Sequence, residues 1–281
     1  MSVQKLIIGN SLEVLTSFED ESVDLCVTSP PYWNVRDYGS ENANYVGWSG
    51  QLGLEESHVD YIDHLCCIFD EVKRVLKKTG SCWVNIGDTF KDKMLLQIPS
   101  RFSIEMCNRG WILRNECIWQ KPNVMPIPTK DRFTMDFEKF YFFTKEPNYY
   151  FKQQLEPLKQ PNVKSKFGSK KDGNYNNMYS GHTYDASNLE GRNKRAVWTI
   201  PTRGSDDNHA AMFPMELIET PIKACCPNNG VVLDPFCGSG TTLEYCRKHD
   251  LDGIGIEINP IYKAIIERKS MMDVGKLEDF A

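Results

Sequence analysis

The sequence predicts an α/β fold, a mostly parallel β-sheet with helices on both faces. Three observations lead there. Short apolar runs alternate with stretches of helical periodicity along the chain, the pattern left by parallel strands joined through crossover helices. One such run, Val231-Val232-Leu233, ends in Asp234 and passes into a glycine-rich turn that opens a helix, as happens at the carboxyl end of a parallel strand. The chain has 281 residues, 41% hydrophobic and 25% charged, which suits one large α/β domain or two ordinary ones.

Seven strands are expected, at Lys5–Ile8, Asp24–Thr28, Ser81–Ile86, Asn115–Trp119, Lys139–Phe143, Val231–Asp234 and Gly253–Glu257. The clearest helix is Glu55–Lys78. Its apolar residues Val59, Ile62, Leu65, Cys66, Phe69, Val72, Val75 and Leu76 recur at three- and four-residue steps, so one face is buried. Glu55-Glu56 at its start and Lys77-Lys78 at its end match the helix dipole, and Thr79-Gly80 would terminate it. Two more helices are expected at Thr241–Lys248 and Pro260–Met271. Residues 163–187 break the pattern, being rich in Asn, Ser, Gly, Lys and Tyr. A polar insertion this long is either a solvated surface loop or a functional element.

Several classes are excluded. No run of eighteen apolar residues occurs, so no membrane-spanning helix is expected, and the N-terminus lacks the apolar core of a signal peptide. A cytoplasmic location is expected, with the 10 cysteines reduced. No Cys-x-x-Cys and no His cluster occurs, so no metal site is expected.

Two motifs carry chemistry. The first is Asp234-Pro235-Phe236-Cys237-Gly238-Ser239-Gly240-Thr241, where the glycines permit a sharp turn and close approach of a ligand. Alone it could be an ordinary strand–helix connector. The next strand ends in Glu257, about twenty residues on, where an acid can accept hydrogen bonds from two ribose hydroxyls. Together they suit a nucleoside cofactor. Leu243 stands where a dinucleotide fingerprint has its third glycine, and no Gly-Lys-Ser/Thr follows, which disfavours triphosphates.

The second motif is Thr28-Ser29-Pro30-Pro31-Tyr32-Trp33. Two prolines after a strand make a rigid, extended loop. It can aim the Ser29 hydroxyl and the Pro30 carbonyl at one point, with aromatic faces beside them. An acceptor pair with an aromatic plate is what a flipped-out base requires. The plain alternative is a strand ended by proline whose aromatics pack into the core.

The paired motifs resemble motifs IV and I of the DNA amino-methyltransferases, enzymes that use S-adenosylmethionine. The catalytic motif precedes the cofactor motif here, which resembles the β group of that family. The resemblance extends over nearly the whole chain. Gly9-Asn10-Ser11 looks like the family's adenine-contacting turn, with Asn10 where the family usually has Asp. Ser81–Asp88 and Ile118-Trp119-Gln120-Lys121-Pro122 resemble later catalytic-domain motifs. His209–Leu217, with Phe213 and Pro214, looks like the segment covering the methionine part of the cofactor.

The resemblance implies a circularly permuted, Rossmann-like class I methyltransferase fold with a seven-stranded, mostly parallel sheet and one reversed strand. Residues 1–150 would form the catalytic half, 151–197 a target-recognition region and 198–281 the cofactor half. Ser29, Pro30, Pro31 and Tyr32 would be catalytic, with Tyr32 stacking on the base. Asp234 and the Gly238–Gly240 backbone would hold the methionine end, Phe236 would pack near the adenosine and Glu257 would hold the ribose. Cys237, Ser239 and Thr241 complete that loop, and the Cys237 side chain reads as a small residue fitted to a tight turn. Ser-Pro-Pro-Tyr favours cytosine N4 as acceptor over adenine N6. Carbon-5 methylation lacks its Pro-Cys nucleophile, and zinc-dependent deamination lacks its ligands. An RNA or protein methyltransferase and a non-catalytic binding module are the alternatives from other classes.

Double-stranded DNA is the expected partner, with a separate restriction endonuclease as a further candidate. The net charge of −5 argues at first against nucleic acid. However, residues 152–195 carry nine basic and four acidic residues, so this segment is +5 and the rest of the chain −10. Lys164, Lys166, Lys170, Lys171, Arg192, Lys194 and Arg195 are the expected DNA contacts there, with a solvated charged loop as the alternative. Trp33 is expected on the DNA-facing surface. Arg36 is a candidate phosphate contact or an ion-pair partner of Asp37.

Overall fold

The computed structural model of the chain describes residues 2–35, 37, 43–45, 48–157, 191–202 and 213–270. It forms two units, one of residues 1–152 with 196–281 and one of residues 153–195.

The larger unit is built on one sheet. Its strands are β1 (Gln4–Ile8), β2 (Val23–Thr28), β3 (Leu76–Ile86), β4 (Ile112–Gln120), β5 (Phe137–Thr144), β6 (Val197–Thr199), β7 (Val231–Asp234) and β8 (Asp252–Glu257). Their order across the sheet is β1-β8-β7-β2-β3-β5-β4-β6. Only β5 runs against its neighbours, pairing antiparallel with both β3 and β4. The sheet therefore has eight strands where the sequence predicts seven. The addition is β6, parallel to β4 at the edge, with only Trp198 of its three residues buried. The first and last strands are paired, Gln4 opposite Gly253 and Ile8 opposite Glu257. This is the permuted arrangement.

The helices are α1 (Ser11–Thr16), α2 (His58–Val75), α3 (Ile98–Asn108), α4 (Met215–Cys225), α5 (Thr241–Lys248) and α6 (Lys263–Ser270). They cover both faces because the strands alternate their apolar side chains. Cys26 of β2 joins a core with Val14, Leu15, Tyr61, Phe69 and Phe102 from α1, α2 and α3. Its neighbours Leu25 and Val27 join the opposite core, with Leu217, Ile222 and Tyr245 from α4 and α5.

Two expected helices are corrected. The long one is shorter than Glu55–Lys78. Ser57 caps it, its hydroxyl accepting from Val59 N at 3.1 Å, and it ends at Val75 where Leu76 turns extended. Lys77 to Gly80 lie in β3, and Lys77 pairs with Asp24 of β2 at 2.8 Å instead of closing the helix. The last helix opens as a 3-10 turn at Pro260–Tyr262 before α6. Met271 lies outside the described residues.

The smaller unit holds a two-stranded antiparallel pair, Leu155–Glu156 with Arg192–Asn193.

Candidate active site

The order of the strands places the site. Along the chain, β7 leads to β8 on one side of the sheet and β2 leads to β3 on the other, while β7 and β2 lie side by side. Ligands of open α/β sheets bind outside the carboxyl ends of the strands at such a reversal. Both motifs start there. Thr28 closes β2 and Asp234 closes β7, and the Thr28 hydroxyl donates to Asp234 Oδ1 at 2.6 Å.

Asp234 has a different task from the ligand contact expected of it. It is completely buried, and protein groups occupy both its oxygens. Thr242 Oγ1 donates to Oδ2 at 2.6 Å, and Phe236 N donates to Oδ1 at 3.2 Å. It joins β2, β7 and α5. Burial raises its carboxyl to about 6, opposed by the Thr242 and Thr28 hydroxyls and the Phe236 amide.

The glycine turn directs its amides inward. Cys237 N donates to Ile256 O, Gly238 N to Glu257 Oε2 and Gly240 N to Cys237 O, at 2.9, 2.8 and 2.9 Å. Phe236 N likewise turns inward, to Asp234. The Gly238 and Gly240 amides thus serve the turn itself. Gly238 and Gly240 both have left-handed φ, 52° and 84°. A Cβ on Gly240 would meet Ile266 at 3.0 Å, whereas one on Gly238 would make only an ordinary contact with Phe236 O at 3.9 Å. Ser239 is buried, Thr241 opens α5, and Phe236 is half-buried against the α1–α3 core. The Cys237 side chain points into a small core with Leu6, Leu243 and Ile266, not toward a ligand. Burial, then Asp234, pushes its thiol well up, so it stays protonated.

Glu257 ends β8 beside this turn. Its Oε2 accepts from Gly238 N and its Oε1 from Asn259 N, each at 2.8 Å. Burial, with a smaller contribution from the Asp234 charge, raises it to about 7 against these amides. Each oxygen retains a second acceptor position. Asn10 follows β1 at the same sheet edge and is buried. Its Oδ1 caps α1 by accepting from Leu12 N at 2.9 Å. Phe213 and Pro214 precede α4, and with Thr241 they line an open cavity of about 420 Å³. Residues 209–212 lie outside the described residues.

Packing holds the Ser29–Trp33 loop. The Pro31 carbonyl accepts from Tyr61 OH at 2.7 Å, while no described residue donates to the Pro30 carbonyl. Trp33 corrects the sequence reading, since it is only 3% exposed and cannot face DNA. Its indole N–H donates to Glu55 O at 2.9 Å and its ring meets His58 edge-on, which pins the end of the loop. Ser29 is half-buried, with its hydroxyl 3.2 Å from Tyr32 OH.

Three residues missed by sequence reasoning converge on Tyr32. Its hydroxyl donates to Glu138 Oε2 at 2.8 Å and lies 3.1 Å from Asn85 Oδ1. Lys121 forms an ion pair with the other oxygen of Glu138. Burial, then the Glu138 charge, pushes the phenol well up, so it remains a donor. The Tyr32 ring lies over Gly87, where an added Cβ would fall 2.5 Å from a ring carbon. Lys121 and Asn85 do lie within segments that drew notice in the sequence. Glu138 left no signal.

Of the expected DNA contacts, Arg192 and Arg195 both pair with Glu156 in the smaller unit, at 2.9 and 2.8 Å, and Lys194 is exposed beside them. Arg36, Lys164, Lys166, Lys170 and Lys171 lie outside the described residues.

Known proteins share this chain's pattern. The DNA methylase model for N6 and N4 methyltransferases matches residues 23–268. The Type II methyltransferase M.SmaI of Serratia marcescens is 32% identical, over 94% of this chain and 90% of its own length. M.Cfr9I of Citrobacter freundii is 34% identical, over 90% of this chain and 83% of its own. In structure, the PvuII DNA methyltransferase, cytosine-N4-specific, matches 100% of this chain and 90% of its own with a TM-score of 0.70 at 21% identity. A DNA modification methylase of Thermus thermophilus, complexed with S-adenosyl-L-methionine, matches 98% of this chain and 99% of its own with a TM-score of 0.63 at 24% identity. These two show a shared fold, the class I methyltransferase sheet. The matched model and the relatives together show that the chain belongs to the N6/N4 DNA methylase family.

Proposed function

We propose that the chain is a site-specific DNA methyltransferase that moves a methyl group from S-adenosylmethionine to the N4 amino group of a flipped cytosine. The observation that carries this reading is the 2.6 Å hydrogen bond from Thr28 to Asp234. It sets an amino-accepting loop one residue from a nucleoside-type loop.

The residues fit the cofactor. Within the turn the amides of Phe236, Cys237, Gly238 and Gly240 already donate to protein acceptors, which leaves fewer for a polyphosphate. Glu257 offers acceptors for a ribose diol. Glu257 and Asn10 would hold the adenosine, Phe236 would pack beside it, and Phe213, Pro214, Ser239 and Thr241 would border the methionine end. Cys237 would shape the turn from behind. S-adenosylmethionine, when bound, supplies an electrophilic methyl group.

The target amino nitrogen is a poor nucleophile because its lone pair is delocalised into the ring. Ser29 Oγ and the Pro30 carbonyl would accept its two hydrogens and favour a pyramidal nitrogen. Pro31 would fix the direction of that carbonyl. Tyr32 would stack on the base. Glu138, Lys121 and Asn85 would keep its ring in place, so most of the rate would come from positioning and electrostatics.

The base is assigned from Ser-Pro-Pro-Tyr and supported by the likeness to a cytosine-N4-specific enzyme. The unit of residues 153–195, with Lys164, Lys166, Lys170, Lys171, Arg192, Lys194 and Arg195, is assigned to sequence recognition on its charge. Exchanging it with a relative's segment should change the methylated sequence, and unchanged specificity would sink that assignment. A cytoplasmic, nucleoid-associated location and a separate restriction endonuclease reading the same sequence go with this function.

The test is to incubate the chain with duplex DNA and labelled S-adenosylmethionine, digest to nucleosides and identify the product by mass spectrometry. N4-methylcytosine supports the proposal, N6-methyladenine selects the other base, and no label refutes methyl transfer.

A further inference from the structure

A second exposed feature lies beside the catalytic loop. The segment between β4 and β5, residues 121–136, leaves the sheet at its carboxyl edge. Its base is closed by Lys121 N donating to Asp136 O at 2.7 Å. The residues flanking that closure, Lys121 and Glu138, are the pair that holds the Tyr32 hydroxyl. The loop thus grows out of the support of the proposed stacking residue.

Its tip is apolar and unburied. Phe133 is 95% exposed and Met125 84% exposed. A lone exposed apolar side chain is ordinary, so what singles out this loop is that its exposed Phe133 and Met125 share it with cations beside the proposed catalytic loop. The loop is also tied to the hairpin Phe90–Lys91/Met94–Leu95. The Arg132 guanidinium lies over the Phe90 ring at 3.6 Å, and Lys93 pairs with Asp131 at 2.8 Å. Lys91 in turn lies 5.6 Å from the centre of the Trp33 ring. Loop and hairpin form one connected surface, and Lys91 carries it to the buried Trp33 at the end of the catalytic loop. Across residues 89–95 and 121–136 there are five basic residues and three acids, in a chain whose net charge is −5.

We infer that this surface is a second DNA-binding arm, in which Lys130, Arg132 and Lys93 contact phosphates and Phe133 enters the duplex where the target base leaves. The chemistry favours duplex DNA over a protein partner. Cations flank a single exposed aromatic, the combination used by proteins that wedge an apolar side chain between base steps. A base that leaves the stack also opens a gap that an aromatic ring can fill. The inference rests on the methyltransferase reading.

The experiment uses the full chain. Lys130→Ala/Arg132→Ala should bind a random-sequence duplex about five- to tenfold more weakly at low salt and lower the slope of log affinity against log salt by about 2. Phe133→Ala should slow methylation of a duplex carrying the mapped target by about tenfold or more. It should retain a near-normal rate when the target base lies opposite an abasic site, because extrusion is then easier. Unchanged DNA affinity and salt slope in the double variant would overturn the phosphate contacts. Equal rates of Phe133→Ala and wild type on the intact duplex, or equal losses on both substrates, would overturn the wedge. The affinity readout needs no turnover, so a wild-type chain that binds DNA without methylating it would count against methyl transfer alone.

Discussion

Glu257 gives the sharpest test of the nucleoside site. Its carboxyl is raised to about 7 by burial, against the hydrogen bonds from Asn259 N and Gly238 N. Only the ionised form can accept both ribose hydroxyls while keeping both amides. The apparent affinity then scales with the ionised fraction, about nine-tenths at pH 8 and about one-tenth at pH 6, so binding should weaken about tenfold between them, about 1.4 kcal/mol. The sign follows from the raised value, since affinity is lost as pH falls through about 7. The unliganded fold has the opposite dependence, because the buried charge destabilises it as pH rises from the unfolded value toward 7. In Glu257→Gln the amide must turn its NH₂ toward Gly238 N or Asn259 N. The lost loop hydrogen bond costs the free and the bound chain alike, so only the lost ribose hydrogen bond enters affinity, about 2 kcal/mol or roughly thirtyfold. The assay is calorimetric titration with 5′-methylthioadenosine, which has the adenosine and sulfur but no amino or carboxyl group to titrate. A flat wild-type profile between pH 6 and 8, or a Gln variant within threefold of wild type, would refute the assignment.

Asp234→Asn should remove a titration from the unfolding profile. The wild-type carboxyl moves from its ordinary value of 3.8 to about 6 on folding, so wild-type stability falls as pH rises through that window. The variant should therefore gain about 3 kcal/mol relative to wild type between pH 4 and 7, read from urea unfolding. Trp33→Ala should destabilise the fold by about 3–5 kcal/mol, because it empties a buried aromatic site. A purely DNA-facing role would leave stability unchanged and weaken only DNA affinity. Ser29→Ala should abolish methyl transfer and leave cofactor affinity largely intact, so a turnover within tenfold of wild type would exclude its proposed role. Thr28→Val, which leaves Asp234 without one donor, should lower both turnover and cofactor affinity. Loss of turnover alone would show that the two loops act separately.

The seven strands expected from the sequence were legible because each contains an apolar run long enough to stand out. The eighth, Val197–Thr199, is a short edge strand that buries one side chain, too little to make a pattern. Three helices left weak signals. Ser11–Thr16 is six residues long, Ile98–Asn108 opens after a left-handed Gln97, and Met215–Cys225 contains Pro221, a residue that argues against a helix interior. Lys77 to Gly80 read as a helix end because charges and a glycine usually mean one, yet Lys77 answers Asp24 on the adjacent strand. Within the site, local residues could be read where one short segment carries the chemistry, as with Ser29 and Glu257. The Tyr32 tether could not. It requires Asn85, Lys121 and Glu138 from β3, the end of β4 and β5, and their meeting depends on β5 lying reversed between the other two. Pattern and spacing along one chain contain no such information. Burial was equally hidden for Trp33, an aromatic after a proline loop that could face in or out.

Asp234 shows how the permuted order still yields one site. The two motifs lie 206 residues apart, between Thr28 and Asp234, and belong to opposite ends of the chain. A carboxyl placed on the surface there could have contacted a ligand directly. Instead it is buried, and its two oxygens receive Thr28 from the end of β2 and Thr242 from the helix after the glycine turn. A buried acid held near neutrality would be costly without those donors. Each of its hydrogen bonds thus depends on the other element being in place. Folding the cofactor turn fixes where β2 ends, and β2 fixes where Ser29 begins. The distance between the Ser29 loop and the glycine turn is consequently set inside the protein, as the proposed methyl transfer would require of catalysis by positioning.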